Sequence, residues 1–474
     1  MKVVVVGSGI GGTSAAYHLA RDGHEVVLLE KNATLGGHAY NMEIDNELVD
    51  IGFMMFGDSN PNIKEWFRSF GITEADGTTR KRIPMSLTVT SDVPGDVQFS
   101  SRSPFGGIAG LFDRRVWRIL MDIYAFTMEL MTMPVKANMT TREWAAQGTY
   151  SSEFVRHYFL AFVSILWTIP KDDVLDLPAT QFLRCLKTHS NSLYIPLWQV
   201  ILGALGRRTD RPKHFWWYVG SAYLAPFLKF FTEEKNGTVR YNAAVKTVEK
   251  GGKAVVLESG ERITCDHVVL ATHADESAAM IPWSTAGVQS LMRFEFHKSM
   301  MYVHRDPGFL PPVKKVWSSW NVLITRDDQY ILTYWMNRIQ RLQSKKDVFV
   351  TITPHDFTGQ KPAAAATISA FRWDHPRLLA DCVPQDEILQ EEGITLSGAW
   401  LGRGFHEDGF VAGRRAAAIV RDAKYKKVAL YEDPGNIPVP PVPAFNVPIG
   451  FKLAGAAAVG LLGYGIAKVV AKQL

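Results

Sequence analysis

The chain opens on Lys2-Val3-Val4-Val5-Val6, an apolar run that stops abruptly at Gly7. Runs of β-branched residues without polar alternation fit a strand buried on both faces of a parallel sheet. The period changes after Gly7-Ser8-Gly9-Ile10-Gly11-Gly12. From Thr13 to Asp22, Ala15, Ala16, Leu19 and Ala20 mark one small apolar face of a helix. Gly23 ends that helix, and Glu25-Val26-Val27-Leu28-Leu29 reads as a second buried strand closed by Glu30. Short strand patterns return at Thr238–Tyr241, Ala244–Val248, Ala254–Leu257, His267–Ala271 and Ile394–Ala399, and a helix runs from Gly409 to Arg421.

Between these stretches the pattern is helical and aromatic. Val116 to Met133 carries Trp117, Leu120, Ile123, Tyr124, Met128 and Met131. Phe154 to Ile169 carries Phe159, Phe162, Ile165, Leu166 and Trp167. The uncharged part of the second pattern, about 12 residues, is too short to span a bilayer. Both patterns read as helix core, with a lipid-chain tunnel as the sharper alternative for some of these side chains. The alternation predicts an α/β chain. Residues 1–80, 237–285 and 390–425 form one discontinuous domain, interleaved with a second made of 81–236 and 286–389.

The C-terminal end departs from this pattern. A Pro-rich linker over 433–447, including Pro438, Pro440, Pro441 and Pro443, is stiff and unsuited to a core. The uncharged run Leu453–Ala467 reaches only about 22 Å as a helix, short of a hydrocarbon core of about 30 Å. Residues 448–471 are long enough if Lys452 and Lys468 snorkel to opposite interfaces. Gly455, Gly460, Gly463 and Gly465 suit close helix contact in lipid. The expectation is a membrane anchor over 448–471, with docking on the body as the alternative. Lys424, Lys426 and Lys427 favour an anionic cytoplasmic leaflet.

Composition narrows the classes. The 474 residues are 47% hydrophobic and 21% charged, which excludes global disorder. The net charge of +5, from 52 basic against 47 acidic residues, gives no sign of a nucleic-acid partner. Cys185, Cys265 and Cys382 are far apart and odd in number, which fits a reducing compartment rather than a disulfide scaffold. His304, His375 and His406 have no metal-ligand spacing, so no metal is expected. The clusters Arg80-Lys81-Arg82 and Arg207 to Lys213 read as solvated surface, or as a face for phospholipid head groups.

The glycines at 7, 9 and 12, with Gly11 beside them, carry chemistry. In G-x-G-x-x-G the first glycine permits the tight turn, the second lets a pyrophosphate approach the backbone, and the third lets helix and strand pack closely. Ser8 and Ile10 fill the turn, and the helix N-terminus offers N–H groups to phosphate. Glu30 stands where a carboxylate holds ribose hydroxyls, and it repels a 2′-phosphate. The motif sits between a strand and a helix with an acid at the right distance, which makes it specific. It does not distinguish FAD from NAD.

A second turn, Leu35-Gly36-Gly37-His38, follows Glu30-Lys31 after a short spacer. With it the chain resembles the two-dinucleotide-binding-domain flavoproteins, the amine oxidase and phytoene desaturase superfamily. That resemblance implies FAD in a Rossmann-like FAD-binding domain interleaved with an α+β substrate domain, and the apolar C-terminal helix stands apart from it. A closer likeness is to the FAD-binding flavoproteins found beside, or fused to, cyclopropane-fatty-acid synthases. It rests on Val49-Asp50-Ile51-Gly52-Phe53 with Met55-Phe56, Val268 to Asp275, His304-Arg305-Asp306, Trp317 to Asn321, Tyr334 to Gln340, and Gly402 to Gly409. The segments span residues 1–425. Val219-Gly220-Ser221-Ala222 departs from the family's Gly-Gly-Ser-Arg-type turn, and Ser190 to Phe215 looks like a different or enlarged insertion.

The resemblance implies a cofactor site of Gly7, Ser8, Gly9, Ile10, Gly11, Gly12, Glu30, Lys31, Gly36, Gly37, His38, Gly52, Phe53, Val245, Gly404, Phe405, His406, Asp408 and Gly409. Within it, Val245 resembles the residue whose backbone meets adenine, and Asp408 is expected on the ribityl chain. Some relatives bind FAD through a cysteine near the closing motif. Cys382 lies well upstream, so noncovalent FAD is expected. Lys298 faintly resembles a lysine beside the flavin N5, against the plainer reading of a surface lysine. Trp335, Met336 and Asn337 are candidates to cover the flavin face, and strand packing explains Trp335 and Met336 equally well. His406 is either a chemical group or a turn histidine. The leading expectation is a membrane-associated FAD oxidoreductase that desaturates, saturates or isomerises a C–C bond of a hydrophobic lipid or acyl chain, its body on the cytoplasmic face. The alternatives are a flavin amine oxidase releasing hydrogen peroxide, and a non-catalytic flavin-bound membrane scaffold.

Overall fold

The computed structural model describes residues 1–57, 60–72, 82–84, 86–104, 109–132, 139–188, 215–218, 223–377, 385–389 and 391–424. The 433–447 linker, the 448–471 segment, the 190–214 part of the insertion, Val219–Ala222, Arg80, Lys81, the 207–213 basic cluster and Cys382 lie outside the described residues.

Five parallel strands from three stretches of sequence form one sheet, in the order Thr238–Arg240, Glu25–Leu29, Lys2–Val6, His267–Leu270, Ile394–Leu396. Val4 stands between Val27 and Val268, and Val3, Val4 and Val5 are fully buried. Burial on both faces explains the lack of alternation in the sequence. Because the strands are parallel, Val6, Leu29, Leu270 and Leu396 end at one edge, where open α/β sheets bind their ligands.

Both helices flanking that edge start earlier than their apolar patterns suggest. The first spans Ile10–Arg21 and takes Gly11 and Gly12 into its opening turn, with Gly9 as extended N-cap. The last described helix spans His406–Arg421, beginning three residues before Gly409. The Asp408 carboxylate accepts from the Phe405 N–H (2.8 Å) and fixes its first turn. The two helices press together through backbone. A Cβ on Gly413 would lie 2.3 Å from the Gly11 carbonyl oxygen, and one on Gly12 would lie 1.8 Å from that of Gly7. The Ser14 hydroxyl donates to the Phe410 carbonyl (2.7 Å) across the same contact.

A second sheet has seven strands, in the order Thr367–Arg372, Ser299–His304, Phe349–Pro354, Tyr330–Trp335, Trp320–Ile324, Leu87–Ser91, Phe99–Ser100. All pairs are antiparallel except Trp320–Ile324 with Leu87–Ser91. The helix Arg114–Thr132 covers it together with an aromatic helical run. That run is not one α-helix over 154–169. It has an α turn at Ser152–Phe154, a π turn at Val155–Leu160 and an α-helix at Ala161–Trp167, and it stops where Thr168 turns left-handed (φ 55°). Phe126, Phe154, Phe159 and Phe162 share one core with Val322 and Leu332. Among the described residues, no helix is long and apolar enough to cross a membrane.

His18 is a weak point of the first helix. It is buried against the Tyr17 and Phe410 rings with neither ring nitrogen hydrogen-bonded. Burial first, then Arg21 and Arg414, push its pKa from 6.5 down to about 3. Below pH 6.5 the unfolded chain takes up this proton and the folded chain does not until about pH 3. Stability therefore falls through that window as pH drops, by roughly 1.4 kcal/mol per pH unit. His18→Leu should raise stability at pH 5 by about 2 kcal/mol relative to its effect at pH 7. Denaturant melts of both proteins at the two pH values check this, and an equal effect at both would contradict it.

Candidate functional site

At the C-terminal edge of the parallel sheet, the Gly7–Gly12 turn is tight on three sides and open on one. Cβ atoms on Gly11 and Gly12 would collide with the Ser397 hydroxyl (2.8 Å) and the Gly7 carbonyl. A Cβ on Gly9 would meet nothing within 4 Å. Gly9 gives the first helix no side-chain cap, so the helix points its first N–H groups at that opening. Ser397 lies beside it with a buried hydroxyl that has no hydrogen-bond partner.

Glu30 is 5% exposed at the end of its strand. One carboxylate oxygen accepts from the Ser8 N–H (3.1 Å) and the Ser8 hydroxyl, and the other from the Asn32 N–H (2.9 Å). The Ala243 N–H donates to the Glu30 carbonyl (2.8 Å) and the Asn242 N–H to that of Asn32 (3.1 Å). These bonds bring the chain leading into Val245 to the same corner. Lys31 turns away and pairs with Glu276 (2.6 Å).

The Gly36-Gly37 turn is locked onto this corner. Both glycines have positive φ (115° and 54°), and a Cβ on Gly37 would lie 2.9 Å from the Gly9 Cα. The Gly36 N–H donates to the Ser8 carbonyl (3.2 Å). The turn then delivers His38, whose carbonyl accepts from the Phe53 N–H (2.7 Å). A Cβ on Gly52 would lie 2.1 Å from that carbonyl and 2.5 Å from the Trp373 ring. The closing motif arrives from the other side. Gly404 turns left-handed (φ 83°), and a Cβ on Gly409 would meet Ile10 at 2.5 Å.

Two stacked ring pairs flank this junction. His38 lies on Trp373 with centroids 4.3 Å apart, and Phe53 lies on His406 at 3.5 Å with the planes 1° from parallel. The Tyr223 hydroxyl lies 3.3 Å from the His406 Nε2. His273 and His375 stand 6.0 and 5.3 Å from His38. Burial, reinforced by neighbouring imidazoles, pushes His38 down to about 3 and holds His375 and His406 well below 6.5. Burial also lowers His273, against the pull of Glu276, Asp275 and Asp374. These imidazoles are neutral near pH 7, so the surface they form is aromatic and uncharged.

The remaining candidates lie elsewhere. Lys298 is exposed between two strands, and its carbonyl accepts from the His355 N–H (3.0 Å). Trp335 packs with Trp317, Leu310 and Phe349 in a separate cluster. Asn337 pins a loop: its amide donates to the Ser344 and Lys346 carbonyls (3.2 and 2.8 Å) and accepts from the Val348 N–H (2.7 Å). The structure brings none of the three to the glycine turns. Sequence reading missed Trp373, His273, His375, Tyr223 and Ser397, whose roles arise from contacts across long stretches of chain. Gly52 was the available signal, since a glycine before an aromatic residue marks a close approach.

The residues present fit FAD. An open helix N-terminus beside Gly9 suits a pyrophosphate, the buried Glu30 a ribose, and the uncharged ring pairs an apolar ring system. A model of the family described as flavin containing amine oxidoreductase matches residues 10–293. An L-amino-acid oxidase of Pseudechis australis is 44% identical over 73 residues, 15% of this chain and 14% of that protein. A 15-cis-phytoene desaturase of Solanum lycopersicum is 24% identical over 311 residues, 60% of this chain and 48% of that protein. The chain thus spans under half the length of these curated relatives. The solved structure of cyclohexylamine oxidase from Brevibacterium oxydans IH-35A has the same fold, with a TM-score of 0.58 at 16% identity over 89% of this chain and 99% of that one.

Glu30→Ala would strand the buried Ser8 N–H and hydroxyl and remove the ribose acceptor. An unmade buried hydrogen bond costs about 1–3 kcal/mol, so FAD affinity should fall by roughly tenfold to a hundredfold. Flavin-fluorescence titration of the apoprotein measures this, and unchanged affinity would contradict the assignment.

Proposed function

The chain belongs to the flavin containing amine oxidoreductase family, and from that premise we propose that this FAD-dependent oxidoreductase acts on a C–C bond of a lipid or acyl chain. Desaturation, saturation and isomerisation all fit. FAD, when bound, supplies hydride chemistry at its N5. This chain's residues supply a dry apolar approach to it and hold the ring faces.

One observation carries the reading. The aromatic helical run of the second domain ends at Trp167, which packs on Phe405 of the closing motif (centroids 5.0 Å) and donates its indole N–H to the Arg403 carbonyl (3.2 Å). Phe126, Phe154, Phe159, Tyr158 and Phe162 pack on one another in the same buried core as Trp167. The apolar core of the second domain thus extends to the cofactor junction, which suits a hydrocarbon substrate. The closing motif's carboxylates are turned inward. Asp408 accepts from the Phe405 N–H, and Glu407 accepts from the Asn62 and Ile63 N–H groups (3.0 and 3.1 Å) and the Asn62 amide. The long match to a phytoene desaturase supports the same reading. So does the resemblance of Tyr334–Gln340 and Gly402–Gly409 to flavoproteins associated with cyclopropane-fatty-acid synthases.

Oxidation of an amine with release of hydrogen peroxide is the second reading, favoured by the fold shared with cyclohexylamine oxidase. A non-catalytic scaffold is set aside by the family. In the same proposal the cofactor is held noncovalently, and residues 448–471 anchor the body at the cytoplasmic face of a membrane.

Anaerobic mixing of the FAD-loaded protein with lipid and amine panels tests the substrate class. A lipid that is desaturated should bleach the oxidised flavin, one that is saturated should reoxidise the reduced flavin, and one that is isomerised should have its double bond moved with no net change in the flavin spectrum. Bleaching by amines alone, with peroxide on admitting air, would reverse the order of the two readings. For the anchor, full-length protein should stay with membranes through an alkaline wash that releases protein truncated after Val442. Release of both forms would reject it.

A further inference from the structure

Beside the cofactor junction, two short strands, Phe296–His297 and His375–Pro376, pair antiparallel. His297 stands directly opposite His375. Side chains opposed in this way share one face, with Cβ atoms about 4.5–5.5 Å apart. The buried His297 Nε2 and His375 Nδ1 have no hydrogen-bond partner among the described residues. Buried polar nitrogens are normally satisfied, so two orphans on opposed rings call for an explanation.

The pair is anchored at one end and meets the junction at the other. The His297 Nδ1 lies 3.0 Å from a carboxylate oxygen of Asp173, on the helix Lys171–Asp176. Burial opposes the Asp173 charge, but His297 and Arg377 outweigh it and hold its carboxyl below the usual range. An ionised carboxylate only accepts, so the proton of a neutral His297 sits on Nδ1 and its Nε2 carries the lone pair. At the other end, His375 lies 5.3 Å from His38 and 6.4 Å from Trp373, the two rings stacked beside Gly52. Phe296, next to His297, stacks on His273 at 4.2 Å. The titratable neighbours of His375 besides His297 are His38 and His273. The arginines nearby are already paired, Arg377 with Glu295 (2.6 Å) and Arg372 with Asp374 (2.6 Å).

Oxidation of a substrate by a flavin removes a hydride and a proton. Desaturation takes them from adjacent carbons, and amine oxidation takes them from carbon and nitrogen. The electron pair of the bond that loses the proton forms the new double bond. The hydride goes to the flavin N5, which leaves the reduced ring with a negative charge and a proton still to be placed. A negative charge nearby favours the protonated form of an imidazole. We propose that the His297–His375 pair, backed by the Asp173 carboxylate, is this protein's site for that proton. The proposal rests on the flavin chemistry of the family and is the same for either substrate class.

The test needs no substrate. The FAD-loaded full chain is reduced with dithionite beside redox dyes, and the midpoint potential of the bound flavin is followed against pH, which counts the protons taken up per electron pair. The reduced-flavin spectrum shows separately whether the flavin's own N1 is protonated. Near pH 7 the wild type should take up two protons with its reduced flavin anionic, one on N5 and one on the histidines. H297Q and H375Q should each take up one. D173N, which keeps the shape but loses the charge, should hold the second proton only to a pH about one unit or more below that of the wild type. One proton in the wild type, or a second proton that the spectrum places on N1, would overturn the proposal. So would two protons with an anionic flavin in either glutamine variant, or an unmoved release pH in D173N. If the glutamine variants fail to hold FAD, the wild-type count and D173N decide.

Discussion

Everything at the cofactor end depends on two helices touching through bare backbone. Gly11 and Gly413 meet where a single methyl group would sit 2.3 Å from a carbonyl oxygen. At that spacing the first helix and the last described helix bring their N-terminal turns together, so Ile10 reaches Gly409 and Ser397 reaches Gly11. The sheet imposes the same convergence. Its strands come from three separated stretches, but all are parallel and end at one edge. Larger residues at the crossing would force apart the two loops that must face one ligand. Chemistry here is a consequence of close packing, with the glycines acting through the atoms they lack.

Much of this was legible in sequence because it is local. Val3–Val6, the Gly7–Gly12 turn and Glu30 lie within one strand–helix–strand unit, where period and spacing carry the information. Gly36-Gly37 and Gly402–Gly409 were readable as turns for the same reason. Helix starts were misjudged because glycines within a first turn look like loop. The aromatic run was read as one helix because its π turn keeps the same apolar composition as the helix around it. The stacked pairs were not legible. His38 and Trp373 are 335 positions apart, and no local period encodes their contact. Trp335 and Asn337 pack in a cluster and a loop apart from the glycine turns, through contacts no local period encodes.

The surface around the junction is built from stacked aromatic rings and imidazoles. Burial lowers the pKa of all four histidines there, against the pull of nearby carboxylates at His273. The apolar core of the second domain reaches this junction through Trp167, which packs on Phe405.

The central claim is that three distant stretches of this chain assemble one noncovalent FAD site. The most direct measurement is the visible spectrum of the purified protein, followed by denaturation and separation of small molecules from the chain. The account predicts an oxidised-flavin spectrum, with FAD recovered intact in the low-molecular-weight fraction. A colourless protein that cannot be reconstituted with FAD would contradict it, and flavin that stays with the denatured chain would contradict the noncovalent attachment.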